Sequence, residues 1–306
     1  MAGNKKTKKQ KQVKQKPPKQ PKKKNQNKRR LGLTTHEREY LAMILDPCDG
    51  PMSHGPYQGT GSGYLVRRQR RVTISLDGST TTQGAFYYHP SMANIFTKAV
   101  LSATSTLGAL STWTAVGIAP PIAYSQFRPV AACVRVTYVG TELNKCGSIA
   151  YSYSMPSHTV NDTASNSPTN LRVDCVGHSR VSSSTLTLRS QPDRSFLHWQ
   201  NSTTTDPLSD QTNGFFFTVN TVSNTAVTYE VVVDVVLEWT PDSDAGIPIV
   251  PNPPVFSKPM DAYLAYLPQE VYATLGKVGE MFVHRLINRL TPSNNTGLPS
   301  ISDLIL

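Results

Sequence analysis

The sequence has no long apolar run, no acid near its start and few cysteines, and each shortage removes a class of protein. No window approaches the roughly 18 consecutive apolar residues of a membrane-spanning helix. The N-terminus also lacks the stretch of about 7–15 apolar residues that a secretory leader carries behind its charges. Both absences point to cytosolic synthesis and reduced thiols, which leaves the glycosylation triplets at Asn161, Asn201 and Asn294 idle. The four cysteines, Cys48, Cys133, Cys146 and Cys175, include no CxxC pair and no neighbouring Cys/His set. Neither a zinc site nor a disulfide framework is therefore expected. The GxSxG, HExxH and GxxxxGK motifs of common hydrolases and nucleotide binders are missing. Gly59-Thr60-Gly61-Ser62-Gly63 has the glycines of a phosphate loop but neither its lysine nor a helix after it, and reads more simply as a lead into the next segment.

What is present is charge, unevenly placed. The 306 residues carry a formal net charge of +11 from 31 bases and 20 acids. Fourteen of those bases lie in the first thirty residues, which hold no acid: Lys5, Lys6, Lys8, Lys9, Lys11, Lys14, Lys16, Lys19, Lys22, Lys23, Lys24, Lys28, Arg29 and Arg30. The remainder has 17 bases against 20 acids, a net of −3. An excess confined to one segment calls for an acidic polymer as partner of that arm, rather than a basic groove on a folded surface. Residues 1–32 have too little apolar area to offset the entropy of ordering, so they are expected to be disordered when free. Their lysines would neutralise phosphates and release counterions, with affinity falling about 0.7–0.9 log units per contacted phosphate for each log unit of salt. Almost no aromatics accompany them, so base stacking cannot add sequence preference. Lys22-Lys23-Lys24 and Lys28-Arg29-Arg30 could also direct nuclear or nucleolar passage, which is compatible with binding such a polymer.

Residues 33–62 open with Thr34-Thr35-His36-Glu37, a capping box ahead of Tyr40, Leu41, Ile44 and Leu45 at helical spacing. A short helix should end at Asp46-Pro47, followed by a connector rich in Gly and Pro. From 63 to 245 the period is two. Between Thr228 and Trp239, Tyr229, Val231, Val233, Val235, Leu237 and Trp239 fall on one face, opposite Thr228, Glu230, Val232, Asp234, Val236 and Glu238. The same alternation marks Val72/Ile74/Leu76, Val134/Val136/Tyr138, Ile149/Tyr151/Tyr153, Leu186/Leu188 and Phe215/Phe217/Val219, with weaker strands near Ala85–Tyr88 and Leu171–Val176. About eight antiparallel strands suit an all-β jelly-roll sandwich. The interval Pro90–Leu110, richer in Ala, Leu and Met, suggests a crossing helix. Residues 246–306 give a Pro-rich linker, an amphipathic helix over 268–290 with Val271, Leu275, Val278, Phe282 and Leu286 on one stripe, and a polar tail.

This order of basic arm, short helix, sandwich and terminal helix resembles the coat proteins of small non-enveloped icosahedral positive-strand RNA viruses, the noda-like and tombus-like groups. Tyr40-Leu41-Ala42-Met43-Ile44-Leu45-Asp46-Pro47 is similar to the helix-then-Asp-Pro segment that follows the arm in noda-like coats. The segment from Val136 to Gly147, with Val139-Gly140-Thr141-Glu142-Leu143-Asn144 at its centre, looks like a strand-turn-strand of such coats. The two matches cover about a tenth of the chain, and a second projecting domain, as in tombus-like coats, is not seen after 242. The resemblance implies a subunit that binds copies of itself into a shell and packages genomic RNA, with residence in the virion after assembly in host cytoplasm, and with a host receptor of unknown kind.

Other chemistry is less sharply marked. The terminal helix has three readings: packing under the shell, RNA contact through Lys277, Arg285 and Arg289, or transient membrane contact. An autocatalytic cut at Asn252, Asn294 or Asn295 would need a buried carboxylate as base, which no residue here identifies, so no enzyme is expected. No cofactor is implied, although calcium at subunit contacts would need converging carboxylates. Asp162, Asp174, Asp206, Asp210, Asp242 and Asp244 lie in or beside loops, Asp242 and Asp244 being the best local pair. The seven histidines (His36, His54, His89, His158, His178, His198 and His284) are dispersed and read as ordinary surface or core residues. Rival readings are a cellular nucleic-acid-binding β protein with a basic tail, which should carry a basic face on its body, and an enzyme on a sandwich scaffold.

Overall fold

The computed structural model describes residues 35–54, 63–120, 124–180, 185–189, 199–201, 213–242, 244 and 246. The basic arm, connector residues 55–62, the linker, the terminal helix and the tail lie outside these residues.

The described chain is built from strands: β1 Tyr64–Leu76, β2 Gln83–Tyr88, β3 Asn94–Val100, β4 Thr114–Gly117, β5 Tyr124–Tyr138, β6 Ser148–Pro156, β7 Gly177–Arg180, β8 Leu186–Arg189, β9 Gln200–Asn201, β10 Asn213–Asn220 and β11 Val227–Pro241. Three helices accompany them, α1 Thr35–Leu45, α2 Ser157–Asn161 and α3 Pro168–Val173. One sheet runs β1-β11-β5-β8, with β9 also on β5; the other runs β4-β3-β2-β10-β6-β7. All pairings are antiparallel. The two sheets form a β-sandwich.

The alternation in β11 determines which way it faces. Tyr229, Val231, Val233, Val235, Leu237 and Trp239 all enter the central core, together with Val72, Ile74 and Leu76 of β1 and Val134 and Val136 of β5. The second sheet adds Phe86 and Tyr88 of β2 and Phe215, Phe217 and Val219 of β10. Phe86 and Phe217 stack at 4.7 Å between ring centroids, a cross-strand aromatic pair of the kind that fixes register. Phe216, between two inward residues, is equally buried because the second sheet has a core on its other side. There Ala85, Tyr87 and Phe216 meet Met92, Leu107, Leu110, Trp113, Val160 and Leu171.

Four expectations are corrected. Eight strands become eleven among the described residues. The interval Pro90–Leu110 carries β3 rather than a helix: Ile95 goes to the central core and Phe96 to the outer one, the alternation of a strand between its two faces. Leu171–Val176 is not a strand, because α3 ends at Val173. The Ser167 side chain accepts a hydrogen bond from the Asn170 N–H and Pro168 holds the first turn, a helix start that outweighs the β-branched residues after it. The thiols are not all reduced: Cys48 and Cys133, 85 residues apart in sequence, form a disulfide with Cα atoms 5.6 Å apart. Cys146 and Cys175 are free.

Candidate functional surfaces

The outer face of the β1-β11-β5-β8 sheet is covered at one end by the segment that precedes the sandwich. Tyr40, Leu41, Met43 and Ile44 of α1 pack on Val130, Ala131 and Val236, with Leu65 at the margin. Beyond α1 the chain stays on this face. The Arg67 guanidinium donates to the carbonyls of Cys48, at 3.0 Å, and Gly50. Arg135 bridges Asp234 at 2.7 Å and Asp49 at 3.5 Å, and Gln69 donates to Asp234 at 2.8 Å.

Under the end of this segment lies a buried ionic cluster. Glu238 Oε2 accepts from Arg128 Nε at 2.9 Å, while Oε1 accepts from the Gly63 N–H and lies 3.0 Å from His54 Nδ1. Glu238 is 0% and Arg128 1% exposed, and the Arg128 guanidinium sits 4.2 Å from the Trp199 ring centroid. Burial pushes the Glu238 carboxyl up, but the His54 hydrogen bond, Arg128 and the Gly63 N–H outweigh it and hold the group below its ordinary value. Gly63 is required here, since a Cβ would stand 2.4 Å from the Trp239 carbonyl oxygen. His36, in the first turn of α1, adds a second imidazole. Its Nδ1 is 3.1 Å from the buried Ser53 hydroxyl and its ring 6.3 Å from that of His54. Burial, then the charge of His54, lowers the His36 pKa, against smaller opposing effects from Glu39 and Glu37.

A second surface lies at the end of the sandwich where three loops meet. In the β1–β2 loop Gly78 accepts from the Asn224 N–H of the β10–β11 loop, and the Thr82 carbonyl accepts from the Thr221 N–H. The β5–β6 loop joins them through the Val139 N–H on the Thr228 carbonyl. Asp77 organises the first loop: a hydrogen bond from the Thr80 hydroxyl, followed by the N–H groups of Thr81 and Ser79, holds its carboxyl far below the usual range. On this end stand exposed apolar side chains, Val139, Leu143, Val222 and Leu101, with Leu143 95% exposed.

The residues singled out from sequence divide sharply. The fourteen basic residues of the arm, the terminal-helix residues Lys277, Arg285 and Arg289, and Asn252, Asn294, Asn295, Asp206 and Asp210 lie outside the described residues. Asp242 and Asp244 are exposed beyond β11. Asp162 accepts from the Ala164 N–H and the Ser165 hydroxyl inside its own turn. Among the described residues no group of three or more His, Cys, Asp or Glu is placed to hold a metal. Read as dispersed, His36 and His54 are brought together by the fold. Glu238 gave no signal of its own, because in the strand pattern it belongs to the polar face.

No family model matches the chain, and no curated protein matches it. Solved structures do. The infectious bursal disease virus VP2 subviral particle aligns with a TM-score of 0.54 at 10% identity, over 82% of this chain and 98% of that one. T=1 particles derived from infectious bursal virus align at 0.52 and 10% identity, over 85% and 99%. A mutant VP2 of that virus, also in derived T=1 particles, gives 0.50 at 10% identity, over 84% and 97%. At such identity the likeness is one of fold, a β-sandwich shared along most of both chains.

Proposed function

We propose that this chain is a viral capsid protein that self-associates into an icosahedral shell and packages genomic RNA through its basic N-terminal arm. The observation that carries the reading is the fold likeness to a capsid protein, VP2, across nearly all of that chain's length. The winding of the strands supports it. β1, β5, β8 and β11 form one sheet path and β2, β6, β7 and β10 lie side by side in the other. That is the interleaving of a jelly roll, to which β3 and β4 add a flanking hairpin and β9 a short edge. Tyr64 pairs with Trp239, so the chain enters and leaves the sandwich at one corner. In this reading the packaged RNA lies on the side of that corner. The opposite, loop-bearing end with Leu143 is the contact between copies.

The test compares the full chain with a version starting at Leu31 by sedimentation, absorbance ratio and negative-stain microscopy. The capsid reading expects closed particles carrying RNA for the full chain, and loss of RNA or altered particle size without the arm. Soluble monomers from both versions would instead favour a cellular nucleic-acid-binding sandwich.

A further inference from the structure

We propose that the segment from Cys48 to His54 is a two-lock clasp on the outer face of the sheet, in which the Glu238 cluster must open before the Cys48–Cys133 disulfide can be reduced. The geometry points to that order. Cys48 is 4% and Cys133 0% exposed, so no reductant reaches either sulfur while the segment is in place. Cys133 is opposite Asp234 across the β5–β11 pair, and Glu238 is four residues further along β11, about 13 Å at the rise of a strand. The segment therefore spans from the covalent lock at one end to the ionic lock at the other. Between them, its fixings include the Arg67 hydrogen bonds to Cys48 and Gly50, the exposed Asp49–Arg135 pair, and buried Ser53, whose N–H donates to Met43 Sδ and whose hydroxyl lies against His36.

The ionic lock hangs on one buried carboxylate. Glu238 faces Arg128 from β5, His54 from the segment and the Gly63 N–H. Behind His54 stands His36 of α1, with the Ser53 hydroxyl against its ring. Without the Glu238 charge the contact that holds His54 is lost, the end of the segment at His54 lifts, and solvent gains the sulfurs.

The reduction step balances with a trialkylphosphine and water. The phosphine attacks one sulfur, the S–S bond breaks, the other cysteine leaves as a thiolate and takes a proton, and water releases the second thiol as the phosphine becomes its oxide. An unstructured peptide disulfide in the same tube corrects for any intrinsic difference in rate.

The experiment treats the full chain and its variants, purified without reductant, with the phosphine at pH 7.5, traps new thiols by alkylation and identifies Cys48 and Cys133 by peptide mass. The corrected rate for Glu238→Gln is expected to be about tenfold faster than wild type, the change produced by about 1.4 kcal/mol in the opening equilibrium. His54→Ala, which leaves the Arg128–Glu238 pair intact, should also accelerate reduction and serves if Glu238→Gln does not fold. A His54→Ala rate no faster than wild type, or free Cys48 and Cys133 thiols at the outset, would each overturn the clasp.

Discussion

Glu238 shows what one buried charge demands of its surroundings. Its carboxylate is fully buried, and three donors offset the cost of removing it from water. Taking away the charge leaves Arg128 buried beside a neutral group, a loss of about 3–5 kcal/mol by comparison with other broken buried pairs. Glu238→Gln should therefore lower the urea midpoint at pH 7 by a corresponding amount. Because the folded carboxyl lies below its ordinary value, its stabilisation is complete above the ordinary carboxylate range and is lost as pH falls through the folded value. The variant should lack that acid limb. His89 obeys the same sign with a different cause. Burial alone lowers it from 6.5 to about 4, so the neutral ring contributes stability that is full above 6.5 and disappears on the way down to about 4. The drop is on the order of 3 kcal/mol. His89→Gln should flatten denaturation midpoints measured across that pH window; an unchanged slope would assign it to other groups.

At the scale of elements, β11 and β10 have different outer surroundings. Both were readable as strands from period two, since Tyr229 to Trp239 and Phe215/Phe217/Val219 have one inward parity. Phe217→Ala should cost about 3–5 kcal/mol in chemical denaturation, because it deletes a fully buried ring from a stacked pair. Thr73→Ala, on the exposed outer face of β1, should stay within about 0.5 kcal/mol. What lies against the outward parity was not readable. Asp234 and Glu238 look solvent-facing in the pattern, yet both are buried on a face where α1 and the segment after it pack. The pairing of Cys48 with Cys133 was hidden for the same reason, as it depends on where a helix docks and not on spacing. The start of α3 was different: Ser167-Pro168 is a local helix-start signal, legible in the sequence although Leu171–Val176 reads as a weak strand. The histidine pair combines both cases, since His36 was placed on a helix by sequence while its approach to His54 is tertiary.

For the whole molecule, the distribution of surface chemistry is more informative than any one residue. Single exposed apolar side chains are ordinary on a soluble surface. Here, however, Leu143, Val139, Val222 and Leu101 share one end, on loops tied to one another through Gly78, Thr82 and Thr228. That end is both apolar and held in shape, as a repeated contact between copies requires. The corner where the chain enters and leaves the sandwich, at Tyr64 and Trp239, is at the other end. In the capsid reading the two ends are separable by mutation. Leu143→Asp with Val222→Asp places charge on the loop end without touching the core, and should abolish particles in sedimentation while the urea midpoint of the soluble subunit stays within about 0.5 kcal/mol of the parent. RNA should still be retained by the unassembled subunit at low salt, because the arm is intact. Particles of normal size from this variant would show that the loop end faces solvent, and would move the copy-to-copy contact to the sides of the sandwich.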